Sequence, residues 1–147
     1  WGGQPPPLFC LGYFMADEVS SQILIDNARN VVMRFTNLTD TTGESGVTKV
    51  DVSALAPLNG QPCTEVIIEK IQYSNFRLGG RILWDADTDV TAFVIARNTS
   101  NTVDFSKTNG LRNNSGAGKT GNINFTTVLA LASGSYDITL YMRKKYG

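Results

Sequence analysis

Apolar and polar residues alternate along most of this chain, and the period is two. In the closing stretch, Tyr136, Ile138, Leu140 and Met142 fall on one parity and Asp137, Thr139, Tyr141 and Arg143 on the other. That alternation predicts a half-buried strand over Tyr136–Lys144. Asn30–Leu38 reads the same way, with Val31, Met33 and Phe35 opposite Val32, Arg34 and Thr36. A polar turn over 40–46 leads to a predicted strand at Val47–Val52, and Pro57, Gly60 and Pro62 mark a loop over 53–63. The strongest pair is Glu65–Tyr73 and Phe76–Asp85, joined by a tight turn at Ser74-Asn75. In its second strand Phe76, Leu78, Gly80, Ile82 and Trp84 share a face, and Gly79-Gly80 marks a bulge or a close backbone approach. Val90–Ala96, Thr102–Phe105 and Ile123–Leu131 add further strands, and a short one around Ile23–Ile25 opens the set. Nothing in the chain has the period of an amphipathic helix. About eight or nine strands joined by turn-rich connections predict an all-β protein, a β-sandwich, with the jelly roll as one form open to it. Residues 1–22 are expected to be an extended Pro-rich arm and connecting segment, and 23–147 the sandwich domain.

Composition narrows the chemistry. At 147 residues the chain is one domain, long enough to bury a core without metal or dense disulfides. Lysine plus arginine equals aspartate plus glutamate, 13 against 13, which argues against a nucleic-acid partner. There is no histidine, so histidine-based nucleophilic catalysis and the common zinc sites are excluded. Charged residues make up 18% of the chain, below the usual quarter, while small polar residues are abundant. Cys10 and Cys63 could pair or stand as two separate thiols. No apolar run reaches the length of a membrane span, and Trp1-Gly2-Gly3-Gln4 lacks the pattern of a signal peptide.

Several segments carry candidate sites. Pro5-Pro6-Pro7 favours a polyproline II arm that lies along the domain or reaches a neighbour. Its candidate partner contacts are Trp1, Pro5, Pro6, Pro7 and Leu8. Asp85, Asp87 and Asp89 alternate as calcium ligands could, but the positions for an EF-hand glycine and twelfth-position glutamate hold Val90 and Ala96. A looser, sandwich-type calcium site stays open, but a solvated acidic hairpin turn between Trp84 and Val90 is the preferred reading. Gly118-Lys119-Thr120 ends like a phosphate-binding Gly-x-x-x-x-Gly-Lys-Ser/Thr loop. However, Asn113 stands at the opening glycine and a strand follows where a helix is required. The expected reading is a flexible inter-strand loop, available for a subunit contact. Glu65 and Glu69 lie about 13 Å apart along one strand, too far for paired-carboxylate hydrolysis. Aromatics such as Tyr73, Trp84, Phe93, Tyr136 and Tyr141 suit a core better than a sugar-stacking platform. Asn37, Asn98, Asn113 and Asn124 each open a glycosylation sequon, and Arg143-Lys144-Lys145 reads as a solvated end or a rim contact.

The C-terminal half carries a more specific likeness. Ile71–Asp85, Val90–Ala96, Val103-Asp104-Phe105, Gly110–Asn114, Gly116–Ile123 and Phe125-Thr126-Thr127 resemble small virion structural proteins of tailed bacteriophages, as does Tyr136–Leu140 followed by Arg143-Lys144-Lys145. The resemblance spans residues 65–146. It implies a non-enzymatic head decoration, or cement, protein on the capsid exterior. The partners so implied are the major capsid protein and sister subunits, with no cofactor, membrane or small-molecule substrate. The competing expectation is a carbohydrate-binding or adhesin-like module of a phage tail or surface structure.

Overall fold

The computed structural model describes residues 17–128 and 131–147. Within them the chain forms nine strands: β1 (Glu18–Asp26), β2 (Asn30–Leu38), β3 (Val47–Val50), β4 (Cys63–Phe76), β5 (Gly79–Trp84), β6 (Val90–Ile95), β7 (Ser100–Asp104), β8 (Ile123–Val128) and β9 (Ser135–Tyr146). Two single 3-10 turns, Val52–Ala54 and Ser106–Thr108, are the only helical elements among the described residues. Among the described residues the first strand opens at Glu18, inside the segment 1–22 expected as arm and connection. Trp1, Pro5, Pro6, Pro7 and Leu8 lie outside the described residues, as does Cys10.

The strands make two antiparallel sheets, one in the order β1-β2-β9-β4-β7 and the other β3-β8-β5-β6. The pairings β2·β9, β3·β8, β4·β7 and β5·β6 are nested one inside the next. That is one long hairpin rolled up on itself, the jelly-roll arrangement. β1 is an additional strand on the outer edge, beside β2. Strand alternation places the core between the sheets. On β9, Tyr136, Ile138, Leu140 and Met142 are all buried, with the intervening side chains half-exposed. They meet Ile82, Trp84, Ile123 and Phe125 of the opposite sheet. Phe35 crosses the interface edge-on to Phe125, ring centroids 5.1 Å apart, and Phe125 meets Tyr136 at 5.9 Å. Each such side chain contributes about 1.5–3 kcal/mol when fully buried.

One expected pairing is overturned. β4 and β5 do not form a hairpin; they belong to different sheets. β4 runs straight through Ser74 and Asn75, because those residues pair with Asp137 and Tyr136 of β9. The chain turns afterwards, at Arg77, which adopts a left-handed conformation (φ 56°) and donates its N–H to Asn98 Oδ1. Asn75 is buried, and its amide donates to the carbonyl of Leu78 across that corner. Gly79 and Gly80 do mark a close approach: a Cβ on either would lie 3.2–3.3 Å from a carbonyl of β6 or β8. β3 is shorter than expected, because the Asp51 side chain accepts from Ser53 N–H and starts a 3-10 turn.

Bulges decide which side chains turn inward. In β4 the pairing shifts between Ile68 and Lys70, so the inward parity switches from Val66 and Ile68 to Ile71 and Tyr73. In β3 it shifts between Thr48 and Val50. Consequently Lys49 and Val50, adjacent in sequence, are both buried.

Candidate functional site

The residues singled out in the sequence are mostly placed in structural roles. Asp85 accepts from Thr120 Oγ1 at 2.6 Å and from Asn124 Nδ2 at 2.9 Å. Asp89 accepts from the same amide at 3.0 Å and from Ala86 N–H at 3.2 Å. Asp87 donates its backbone N–H to Ala117 O. The acidic run is the β5–β6 turn, and its carboxylates anchor β8 and the glycine loop. Among the described residues no group of three His, Cys, Asp or Glu side chains gathers as a metal site would require.

The glycine loop is fastened at several points, contrary to the flexible loop expected from sequence. Thr120 N–H donates to Asp85 O, Lys119 Nζ lies 3.0 Å from Glu65, and Ser115 N–H donates to Asn113 Oδ1. Gly118 (φ 76°) sits against Asp87, where a Cβ would come within 2.0 Å of Oδ1. Strand β8 follows, so no helix terminus faces the loop.

Glu65 and Glu69 are engaged with cations. Glu65 faces Lys119 and Lys145, and Glu69 faces Arg143 at 3.9 Å. Asn37 and Asn124, two of the sequon asparagines, are buried at 2% and 4% exposure, beyond the reach of a glycan. In the basic end Lys145 is exposed and Arg143 partly exposed, but Lys144 turns inward. Lys144 is fully buried, ion-paired to Asp26, and donates to the carbonyls of Asn27 (2.8 Å) and Ala56 (2.9 Å). Cys63 is a buried free thiol donating to Glu65 O, and burial pushes it above the usual thiol range.

A second polar cluster, which sequence reasoning missed, closes the opposite end of the roll around Glu44. Glu44 Oε1 accepts from Tyr136 OH at 2.6 Å and Asn37 Nδ2 at 2.9 Å, while Oε2 pairs with Lys49 Nζ. The Lys49 and Glu44 side chains are 4% and 6% exposed. Asn37 Nδ2 also donates to Asp17 Oδ2 at 3.0 Å, and Asp17 Oδ1 accepts from Thr39 Oγ1 and from the N–H groups of Asp40 and Gly43. Burial, and then the hydrogen bond and charge of Glu44, hold the Tyr136 phenol far above its ordinary range. Only a charged lysine beside the buried Val50 in a four-residue strand hinted at this cluster, and alternation alone does not give its direction.

The open surface lies at β1. Eight of its nine residues are exposed, and Val19, Ile23, Leu24 and Ile25 each keep about half their surface in solvent. One side of β1 pairs with β2 and the other has no partner strand among the described residues. On the outer face of the same sheet a shallow depression of about 490 Å³ is lined by Arg34, Gln72, Ser74, Asn101 and Thr139. Arg34 there is held by a two-pronged bond to Asp137, at 3.0 and 2.6 Å.

No protein-family model matches the sequence, and no curated protein matches it. Among solved structures the chain is similar to a cupin domain of Bordetella pertussis Tohama I. The identity is 12% and the TM-score 0.32, over 86% of this chain and 93% of that one. Among the described residues no helix is long and apolar enough to cross a membrane.

Proposed function

We propose that this chain is a non-enzymatic virion structural protein, a head decoration protein that binds the major capsid protein and sister subunits on the capsid exterior. The observation that carries the reading is the β1 edge. Folded proteins usually blunt such an edge with proline, lysine or a short strand. Here it has nine residues with neither proline nor lysine, it exposes four large aliphatic side chains, and one bulge interrupts it at Leu24. An edge of this kind accepts a strand from a neighbour, backbone hydrogen bonds supplying affinity and the aliphatic side chains supplying fit. Repeated around a symmetric shell, that contact ties subunits together. The non-enzymatic reading draws support from the charged groups at both ends of the roll, which are engaged with one another. The jelly roll itself is shared by capsid proteins, lectins and cupins, so the fold leaves the choice to the surface.

The carbohydrate-binding alternative has less behind it. It needs an exposed row of rings, but Tyr73 packs 6.0 Å from Phe93, Phe93 packs 6.1 Å from Phe105, and Tyr141 lies under Lys70 Nζ.

The test is co-sedimentation with icosahedral particles, with copy number counted. A count near that of the capsid protein is expected, together with at least a tenfold loss of occupancy in an Ile23→Lys, Leu24→Lys variant whose circular dichroism is unchanged. Absence from particles overturns the proposal, and undiminished occupancy removes β1 from it. Deleting residues 1–8 in parallel measures what the arm adds.

A further inference from the structure

We propose that Lys49 and Asn37 join through an intramolecular isopeptide bond, with Glu44 as the proton relay, tying the two sheets covalently at one end of the roll. Three observations converge on this. First, the β3 bulge turns Lys49 inward, so that its amine is brought to Glu44 Oε2 in a nearly dry interior. Second, the other oxygen of the same carboxylate holds Asn37 Nδ2 at 2.9 Å. An amine nucleophile and a carboxamide therefore share one buried carboxylate, which keeps them within that carboxylate's span of each other. Third, Asn37 Oδ1 is buried with no hydrogen-bond partner, while its nitrogen is held by both Glu44 and Asp17. A lone buried amide oxygen is a costly feature to keep. It leaves the carboxamide oriented with its leaving nitrogen against two carboxylates.

The chemistry balances without an oxidant or a co-reactant. Glu44 takes a proton from the Lys49 ammonium, freeing the nitrogen lone pair. The amine attacks Asn37 Cγ and forms the new C–N bond. The bond from Cγ to Nδ2 breaks, and that nitrogen leaves as ammonia with the proton returned by Glu44, while the surplus proton of the attacking nitrogen passes through Glu44 to the ammonia. Ammonium is the by-product. The product is a secondary amide between β2 of the five-stranded sheet and β3 of the four-stranded sheet. Tyr136 OH, bonded to Glu44 Oε1, steadies the relay.

The experiment is a high-resolution intact mass of the folded full chain with a tryptic map. The linked protein is expected about 17 Da below its sequence mass, the mass of ammonia released when the amine displaces the carboxamide nitrogen. Trypsin will fail at Lys49, giving one peptide over residues 35–70 in place of 35–49. Glu44→Gln is expected to restore the sequence mass and cleavage at Lys49. The sequence mass with an intact 35–49 peptide overturns the proposal. So does a loss of about 18 Da, since water is released only if Lys49 acylates on a carboxylate and not on Asn37. Should Glu44→Gln fail to fold, the wild-type mass and peptide map decide the matter alone.

Discussion

Lys49 and Lys144 lie at opposite ends of one interior, and their surroundings differ in kind. Tyr136, beside the Lys49 cluster, and Lys144 mark the two ends of β9, roughly 26 Å apart along the strand. Lys144 distributes its protons over two backbone carbonyls and the Asp26 carboxylate, which satisfies every donor an ammonium has. It is a structural cation that staples β9 to the β1–β2 turn and to the 3-10 segment. Lys49 meets a carboxylate that also holds a carboxamide and a phenol. Each end has one buried lysine paired to a carboxylate; what differs is whether that carboxylate also holds a side-chain carboxamide. A buried lysine surrounded by carbonyls is inert, while one that shares its carboxylate with an asparagine has a reaction open to it.

The largest expected effect tests the inert end. Lys144→Met removes one partner of a buried ion pair and strands Asp26, and urea unfolding should show a loss of about 3 kcal/mol. A loss under about 1 kcal/mol would mean that the end is held by its loops instead. Those loops are probed by Gly118→Ala. Its left-handed φ and its 2.0 Å approach to Asp87 predict roughly 2 kcal/mol of destabilisation by the same assay.

At the Glu44 end the informative change is Tyr136→Phe. It should cost about 1 kcal/mol at neutral pH, the worth of one buried hydrogen bond. It also has a pH signature. In the fold the phenol is held far above its ordinary value of 10.0, so the unfolded chain releases that proton first as pH rises. The stability it contributes is therefore complete below about pH 10 and declines above it. The variant should show a shallower alkaline decline, measured as unfolding free energy between about pH 9 and 11. An unchanged decline would detach Tyr136 from the cluster. The smallest effect is expected on the outer face: Arg34→Ala removes a pair whose members are 45% and 41% exposed, and the melting temperature should not move measurably.

The strands were legible where one parity holds from end to end, as in Asn30–Leu38 and Tyr136–Lys144. They were misread where geometry overrides alternation. Ser74-Asn75 has the composition of a turn, but pairing with β9 keeps it extended, and the real corner needed a left-handed Arg77 that no sequence rule favours. The Glu44 cluster was out of reach for a different reason. Asp17, Asn37, Glu44, Lys49 and Tyr136 come from five segments, and the inward aim of Lys49 depends on a one-residue slip in β3. Asp85 and Asp89 were noticed because their carboxylates crowd in sequence, yet crowding alone does not separate a ligand set from a turn. Their partners Thr120 and Asn124 lie more than thirty positions away.

The nesting of the strand pairs has a consequence for the chain's integrity. A cut between Asp87 and Thr88 falls inside the innermost pair, and it leaves one member of β2·β9, β3·β8, β4·β7 and β5·β6 on each piece. Among the described residues the first piece retains β1·β2 as its only internal ladder, and the second retains none. Neither half can build a sheet of its own, yet together they contain every partner. Expressed separately the halves should be unstructured, and mixed they should recover the β-sheet dichroism of the intact protein, so that assembly of the fold reports on the meeting of two molecules.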